Sequence, residues 1–178
     1  MKKRGIFILS AAVVLAAGLL CHHMLVQERE PEFVFSYAEN QTEDYPTTLG
    51  AKEFAKLVEK RSNGRIQILV QAEGALGTES DVIAQIQYGG IDFARVSLSQ
   101  LAEYIPELNV LQMPYLYTNS DHMWKVLDGE IGDAFLAATD ESELVGLSWY
   151  DAGARNFYNS KKPITCLEDM AGMRIRVQ

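Results

Sequence analysis

The sequence predicts an α/β fold built on a mostly parallel sheet, and three observations predict it. The runs "FVFSYA" (33–38) and "RIQILV" (65–70) have the apolar and aromatic density of buried strands. The stretch between them carries a helical pattern with its own start and stop signals. A second helical pattern then leads into a third strand-like run, "GGIDFARVS" (89–97), so strand and helix alternate as they do in βαβ units.

Each element follows from local chemistry. After "FVFSYA" the polar loop "ENQTEDYP" ends on Pro46, which suits a first helical turn because its missing N–H is not needed there. Leu49, Phe54, Leu57 and Val58 lay an apolar stripe along the helix, and Asn63 and Gly64 in "SNG" end it. "AEGALGTES" is a glycine-bearing turn in which Thr78 caps a helix carrying Val82, Ile83 and Ile86. Gly74 and Gly77 resemble half of a phosphate-binding loop, but the lysine and remaining glycines of the nucleotide fingerprints are missing. A short helix follows residue 97, then "YIPELNVLQMPYLY" with its two prolines, then helical segments at 123–127 and 131–138. "LVGLSWY" (144–150), residues 154–159 and residues 173–177 read as further strands. Thr165 and Glu168 have the spacing of a capping box for one helical turn.

The bulk numbers set limits on function. The chain has 178 residues, 48% of them hydrophobic, enough for a real core in one domain. Sixteen basic and 24 acidic residues give a net charge of −8, and losing Lys2, Lys3 and Arg4 would take it to −11. Such a surface repels phosphate backbones and anionic membranes, and no basic patch offsets it, so nucleic acid is not an expected partner. The N-terminus runs from a basic segment through an uncharged stretch (5–21) to a polar one, the layout of a secretory signal. The alternative is a retained membrane segment, since 17 residues at about 1.5 Å each sit at the short edge of a span. Cys21 ends the apolar run, as the cysteine of an exported lipoprotein would, but the bulky Leu20 before it does not suit lipidation. With Cys21 and Cys166 the two cysteines, removal of the signal leaves no internal disulfide, and Cys166 is expected to be a small half-buried hydrophobe.

Catalytic chemistry finds little support. His22 and His23 are adjacent and lie beside the export segment, while His122 stands alone near a helix start, where a surface or capping role is the ordinary one. No HExxH, paired CxxC or GxSxG motif occurs, so neither an enzyme activity nor a metal or other cofactor is expected.

What remains is a pattern of arginines inside apolar runs: Arg95 in "DFARVS", Arg155 in "GARNFY" and Arg176 in "RIRVQ". A guanidinium stays charged, so each needs an anion, carbonyl groups or water around it. Two partners satisfy that need, namely a ligand carboxylate held bidentately or one of the chain's own acidic side chains. Residue types alone leave both open.

The succession "FAKLVEKRSNGRIQILV", "GALGTESDVIAQIQYGGIDFARVS", "YIPELNVLQMPYLY" and "GARNFYNSKKPITCLEDMAGMRIRVQ" resembles the DctP-type extracytoplasmic solute-binding proteins of TRAP transporters, over nearly everything after Phe33. The resemblance implies a periplasmic-binding-protein-like receptor with two α/β lobes. Such a receptor closes around a small organic acid and hands it to membrane permease subunits. It implies lobe one over residues 33–150, after a signal or membrane segment (1–26) and a linker (27–32), and the opening of lobe two over residues 151–178. It further implies that the rest of lobe two is missing and that the chain alone binds weakly or not at all.

By the same resemblance Arg155 and Arg176 become carboxylate contacts, Arg176 being the main clamp and Arg174 facing solvent. Glu39, Asn40 and Arg95 become lobe-one contacts, with Glu39 accepting from sugar hydroxyls unless it is an exposed loop acid. The runs "SYAENQ", "DFARVS" and "GARNFY" look most like those of hexuronate binders, Ser97 argues against sialate, and a C4-dicarboxylate is the alternative within the family. A membrane-anchored ligand-sensing domain is the alternative outside transport.

Overall fold

The computed structural model describes residues 30–154 and 156–176. The implied signal segment and Arg155 lie outside them. Three parallel strands form the sheet: β1 (Phe33–Ala38), β2 (Ile66–Gln71) and the short β3 (Phe93–Ala94). Their order is β2-β1-β3, with Phe33 opposite Ile66 and Ala38 opposite Gln71 on one side, and Tyr37 opposite Phe93 on the other. Helix α1 (Pro46–Arg61) connects β1 to β2, and α2 (Glu79–Gln87) carries the chain back past β1 to β3.

Period-two alternation along β1 assigns each helix its face. Tyr37 packs with Ile68 and with Ala51 of α1, joined by Phe35, Phe54, Val58 and Phe93. Ala38 points the other way, against Val82 of α2 and Ile91. Phe93 ties the α1 layer together, meeting Phe54 edge-on at 5.8 Å and lying parallel to Tyr37 at 6.4 Å. Such aromatic pairs add about 0.5–1.5 kcal/mol beyond their burial.

The helices start and stop for identifiable reasons. Pro46 opens α1 as expected, and after Ser62 the chain turns through Asn63 and Gly64, both at positive φ (54° and 76°). The buried face of α1 differs in part from the expected stripe: Ala51, Phe54, Ala55 and Val58 face the sheet, while Leu49 and Leu57 are exposed. In α2 the Thr78 side chain accepts from the Asp81 N–H and the Asp81 carboxylate accepts from the Thr78 N–H, a reciprocal cap.

Beyond β3 the chain becomes helical. Helix α3 (Leu98–Leu101), a 3₁₀ segment (Pro106–Gln112), α4 (Ser120–Leu127) and α5 (Glu130–Ala137) enclose a second core of Ala102, Ile105, Leu108, Leu111 and Leu127. His122 is exposed in the first turn of α4, its Nδ1 within 3.3 Å of the Thr118 N–H.

Three expected strands do not form among the described residues. Residues 144–150 are irregular: Leu144 is buried and Trp149 packs on the helical core, but Val145 and Leu147 are exposed. Residues 154–159 and 173–176 are likewise irregular, apart from the undescribed Arg155. The reason is that a strand is a pairing: an apolar run becomes one only beside a strand that takes its N–H and C=O groups in a ladder, and among the described residues these runs have no such ladder. The capping turn is also shifted by one residue. Asp169, not Glu168, closes it, accepting from the Thr165 hydroxyl and N–H (2.8 Å each) and the Cys166 N–H (3.2 Å). Cys166 is exposed rather than half-buried, on the capping turn that Asp169 closes.

Ile83, on the α2 face, is 1% exposed. Ile83→Ala should lower unfolding free energy by about 2–4 kcal/mol, whereas Val145→Ala at an exposed site should change it by less than about 0.5 kcal/mol. Urea unfolding followed by far-UV circular dichroism measures both.

Candidate functional site

The order β2-β1-β3 decides where a ligand would sit. The chain leaves β1 toward β2 on one side and returns to β3 on the other, so the loops beyond the carboxyl ends of β1 and β3 diverge and leave a crevice. A shallow hollow occupies that place, lined by Glu39 and Asn40 after β1, Gly74 and Gly77 before α2, Glu79 at the start of α2, and Arg95 after β3.

Glu39 continues β1 by one residue, its N–H donating to the Gln71 carbonyl at 2.9 Å. Its side chain is fully buried. The carboxylate accepts from the Asn40 N–H (2.9 Å), the Gln41 N–H (3.1 Å), and Arg95 Nε (3.0 Å to Oε1, 3.2 Å to Oε2), and it is also paired with Arg95 Nη2. Arg95 is held from both ends. Its N–H donates to the Ala38 carbonyl at 3.0 Å, its Nη2 also donates to Asn40 Oδ1, and its Nη1 lies 3.5 Å from Glu79 Oε1. Glu79 in turn accepts from the Ser97 N–H (3.0 Å) and the Ser97 hydroxyl. The result is a chain of charge and hydrogen bonds, Asn40–Arg95–Glu39 on one side and Arg95–Glu79–Ser97 on the other.

Gly77 makes room for the cap of α2 beside this arrangement. At φ 115° its backbone suits glycine, and a Cβ there would lie 3.2 Å from the Asp81 Cβ, where Asp81 folds back over Thr78.

Of the two alternatives open for Arg95, the structure has the ion pair with the chain's own carboxylates. Glu39 is not an exposed loop acid but a sealed one, and Asn40 is the exposed member of the pair. Glu39, Asn40 and Arg95, grouped in the sequence by the resemblance alone, are brought together. Arg176 lies exposed in the C-terminal stretch and does not line the hollow, and Arg174 beside it is exposed as well. Sequence reasoning missed Glu79 because an acidic residue one place after a helix cap is explained by the helix dipole alone.

A second layer ties residues 150–152 to the same end of the sheet. Burial pushes the Tyr37 hydroxyl well above the ordinary tyrosine range, with Tyr150 and then Glu39 adding to the shift. Tyr150 lies over Gly50 of α1, where a Cβ would come within 2.9 Å of the ring, and the Tyr45 hydroxyl donates to the Ala152 carbonyl at 3.3 Å. The segment that continues toward Arg155 therefore departs from the first turn of α1.

Electrostatics follow the geometry. Burial alone would raise the Glu39 carboxyl, but hydrogen bonds from Arg95 and the Gln41 N–H and the Arg95 charge outweigh it, so the group lies below its ordinary value of 4.5. For Arg95 burial acts downward, and Glu39 outweighs it upward. A depressed carboxylate contributes stability that is present above its unfolded value and lost as pH falls through its folded one. The chain should therefore lose stability once pH drops below about 4.5. Glu39→Gln, which leaves Arg95 without its main counter-charge, should cost about 3–5 kcal/mol at pH 7. That deficit should shrink steadily in acid, and urea titrations across the range measure both effects.

Comparison with known proteins places this geometry. Residues 37–178 match the family described as bacterial extracellular solute-binding protein, family 7 (DctP). A solute-binding protein of Chromohalobacter salexigens is 35% identical over 133 residues, which is 75% of this chain and 40% of that protein. A TRAP periplasmic solute-binding protein of Bradyrhizobium sp. btai1, solved in complex with galacturonate, is 41% identical at TM-score 0.78 and covers 81% of this chain. One from Pseudomonas putida F1, with bound D-glucuronate, is 41% identical at TM-score 0.76 and covers 82%. One from Sulfurospirillum deleyianum, with bound succinate, is 28% identical at TM-score 0.74 and covers 80%. In these three structures the match takes in 48%, 48% and 46% of the other chain, so this chain spans under half their length. With a family match over most of its residues and an α/β parallel fold to accompany it, the chain belongs to the DctP family of bacterial extracellular solute-binding proteins.

Proposed function

We propose that this chain supplies the first lobe, residues 33–150, and the start of the second lobe of a receptor that captures a hexuronate outside the cytoplasm and passes it to TRAP permease subunits in the membrane. The observation that carries the reading is the hollow at the carboxyl ends of β1 and β3, with Glu39, Asn40, Glu79 and Arg95 on its lining, in a chain 41% identical to structures holding galacturonate and D-glucuronate. Asn40, exposed and with its amide nitrogen directed by the bond from Arg95 to its oxygen, is suited to a sugar hydroxyl. The roles of the residues divide accordingly: Glu39 and Arg95 shape the lobe-one wall, and Arg155 and Arg176, on the segment beyond Ala152, meet the ligand carboxylate. Capture needs no bond chemistry, so the reading is of a receptor and not an enzyme. The N-terminal basic and apolar segment suits export, and no helix among the described residues is long and apolar enough to cross a membrane.

A C4-dicarboxylate is the second reading, favoured by the succinate-bound relative at 28% identity. Affinity in hinged receptors comes from enclosure between two lobes, so the 178-residue chain should bind in the millimolar range, about −4 kcal/mol. Saturation-transfer NMR titrations with D-galacturonate, D-glucuronate and succinate discriminate the readings. Tighter binding of the two hexuronates is expected; tighter binding of succinate would transfer the assignment to dicarboxylates.

A further inference from the structure

The hollow between β1 and β3 adjoins a second one lined by Thr78, Ser80, Asp81 and Gln100, with Asn40 and Glu79 bordering both. Three carboxylates (Glu39, Glu79, Asp81) and one guanidinium (Arg95) line the two, a formal balance of −2. Moreover, the guanidinium has no fork to offer. Its Nε–Nη2 edge is taken by Glu39, its Nη2 also serves Asn40, and its Nη1 faces Glu79. A bidentate contact to an incoming carboxylate requires two parallel N–H groups on one edge, and both edges are engaged.

We infer that Glu79 is a specificity-determining residue: by engaging Arg95 from the second side and keeping the wall negative, it makes lobe one a receiver of hydroxyl groups and a rejecter of carboxylates. The ligand's acid group is thereby turned away from this wall, and a ligand with an acid at each end is disfavoured. This rests on the reading of the hollow as a sugar-acid site. Glu79 accomplishes it while staying fixed, because the Ser97 N–H and hydroxyl hold its carboxylate in place. Hydroxyls fit the same wall well, since the Glu79 and Asp81 carboxylates accept from them and the Asn40 amide nitrogen donates.

The test follows the backbone amide shifts of Asn40, Ser97 and Gln100 in the 178-residue chain during titration with D-galacturonate, the neutral methyl β-D-galactopyranoside, and succinate. Both sugars should shift these amides, and succinate should require at least roughly threefold higher concentration than galacturonate, the scale of one or two screened charges across a wet cleft. Glu79→Gln keeps an acceptor for the Ser97 N–H and removes a charge; it should narrow that ratio roughly threefold by improving succinate. Glu53→Gln removes a charge from the exposed face of α1, outside both hollows, and should leave the ratio as it is, which separates a local effect of Glu79 from a change in net charge. Equal response to succinate and galacturonate in the unaltered chain, an unchanged ratio in Glu79→Gln, or no shift with either sugar would overturn the inference. A response to the neutral sugar without one to galacturonate would support the wall's preference while removing the hexuronate reading.

Discussion

The buried pairing of Arg95 with Glu39 is the constraint to which the rest of the site answers. Taking either charge out of water alone would cost several kcal/mol, so each must be surrounded by complementary groups before it can be buried at all. That requirement fixes the loop after β1, whose Asn40 and Gln41 N–H groups turn inward to the Glu39 carboxylate. It also fixes the exit of β3, where Arg95 is anchored to Ala38 by its backbone while its side chain reaches across. Helix α2 completes the set, because its capping turn presents Glu79 to the remaining guanidinium nitrogen and to Ser97. The hollow at these strand ends is thus given a fixed floor.

The floor lies where it does because of topology. With β1 central and the chain diverging to either side of it, the two loops that carry Glu39 and Arg95 cannot cover the sheet's carboxyl end between them. The same end receives residues 150–152, through Tyr150 over Gly50 and Ala152 on Tyr45. Aromatic packing of Tyr37, Phe54 and Phe93 beneath keeps the strand ends in register, so the energetics of the core and the geometry of the hollow are one problem.

Much of this was legible in the residues. Pro46, Asn63, Gly64 and Thr78 mark helix ends through backbone chemistry that is local, and local chemistry survives into the fold. The parallel sheet followed from alternation, and the grouping of Glu39, Asn40 and Arg95 followed from the resemblance to the DctP-type receptors. What was not legible depended on partners distant in sequence. Residues 144–150 have strand composition but no neighbouring strand, and the buried stripe of α1 favours small Ala51 over Leu49 because the sheet lies close. Which acid would pair with Arg95 was beyond sequence spacing, since Glu39 and Glu79 lie 56 and 16 residues away from it.

A double-mutant cycle on Glu39→Gln and Arg95→Met addresses the interaction most directly. If these two groups exist chiefly for one another, the double substitution should be markedly less damaging than the sum of the single ones. The coupling energy expected from urea unfolding at neutral pH is about 2–3 kcal/mol. Independent, additive losses would mean that each side chain is held by its other neighbours, and the account of a wall organised around this pair would be wrong.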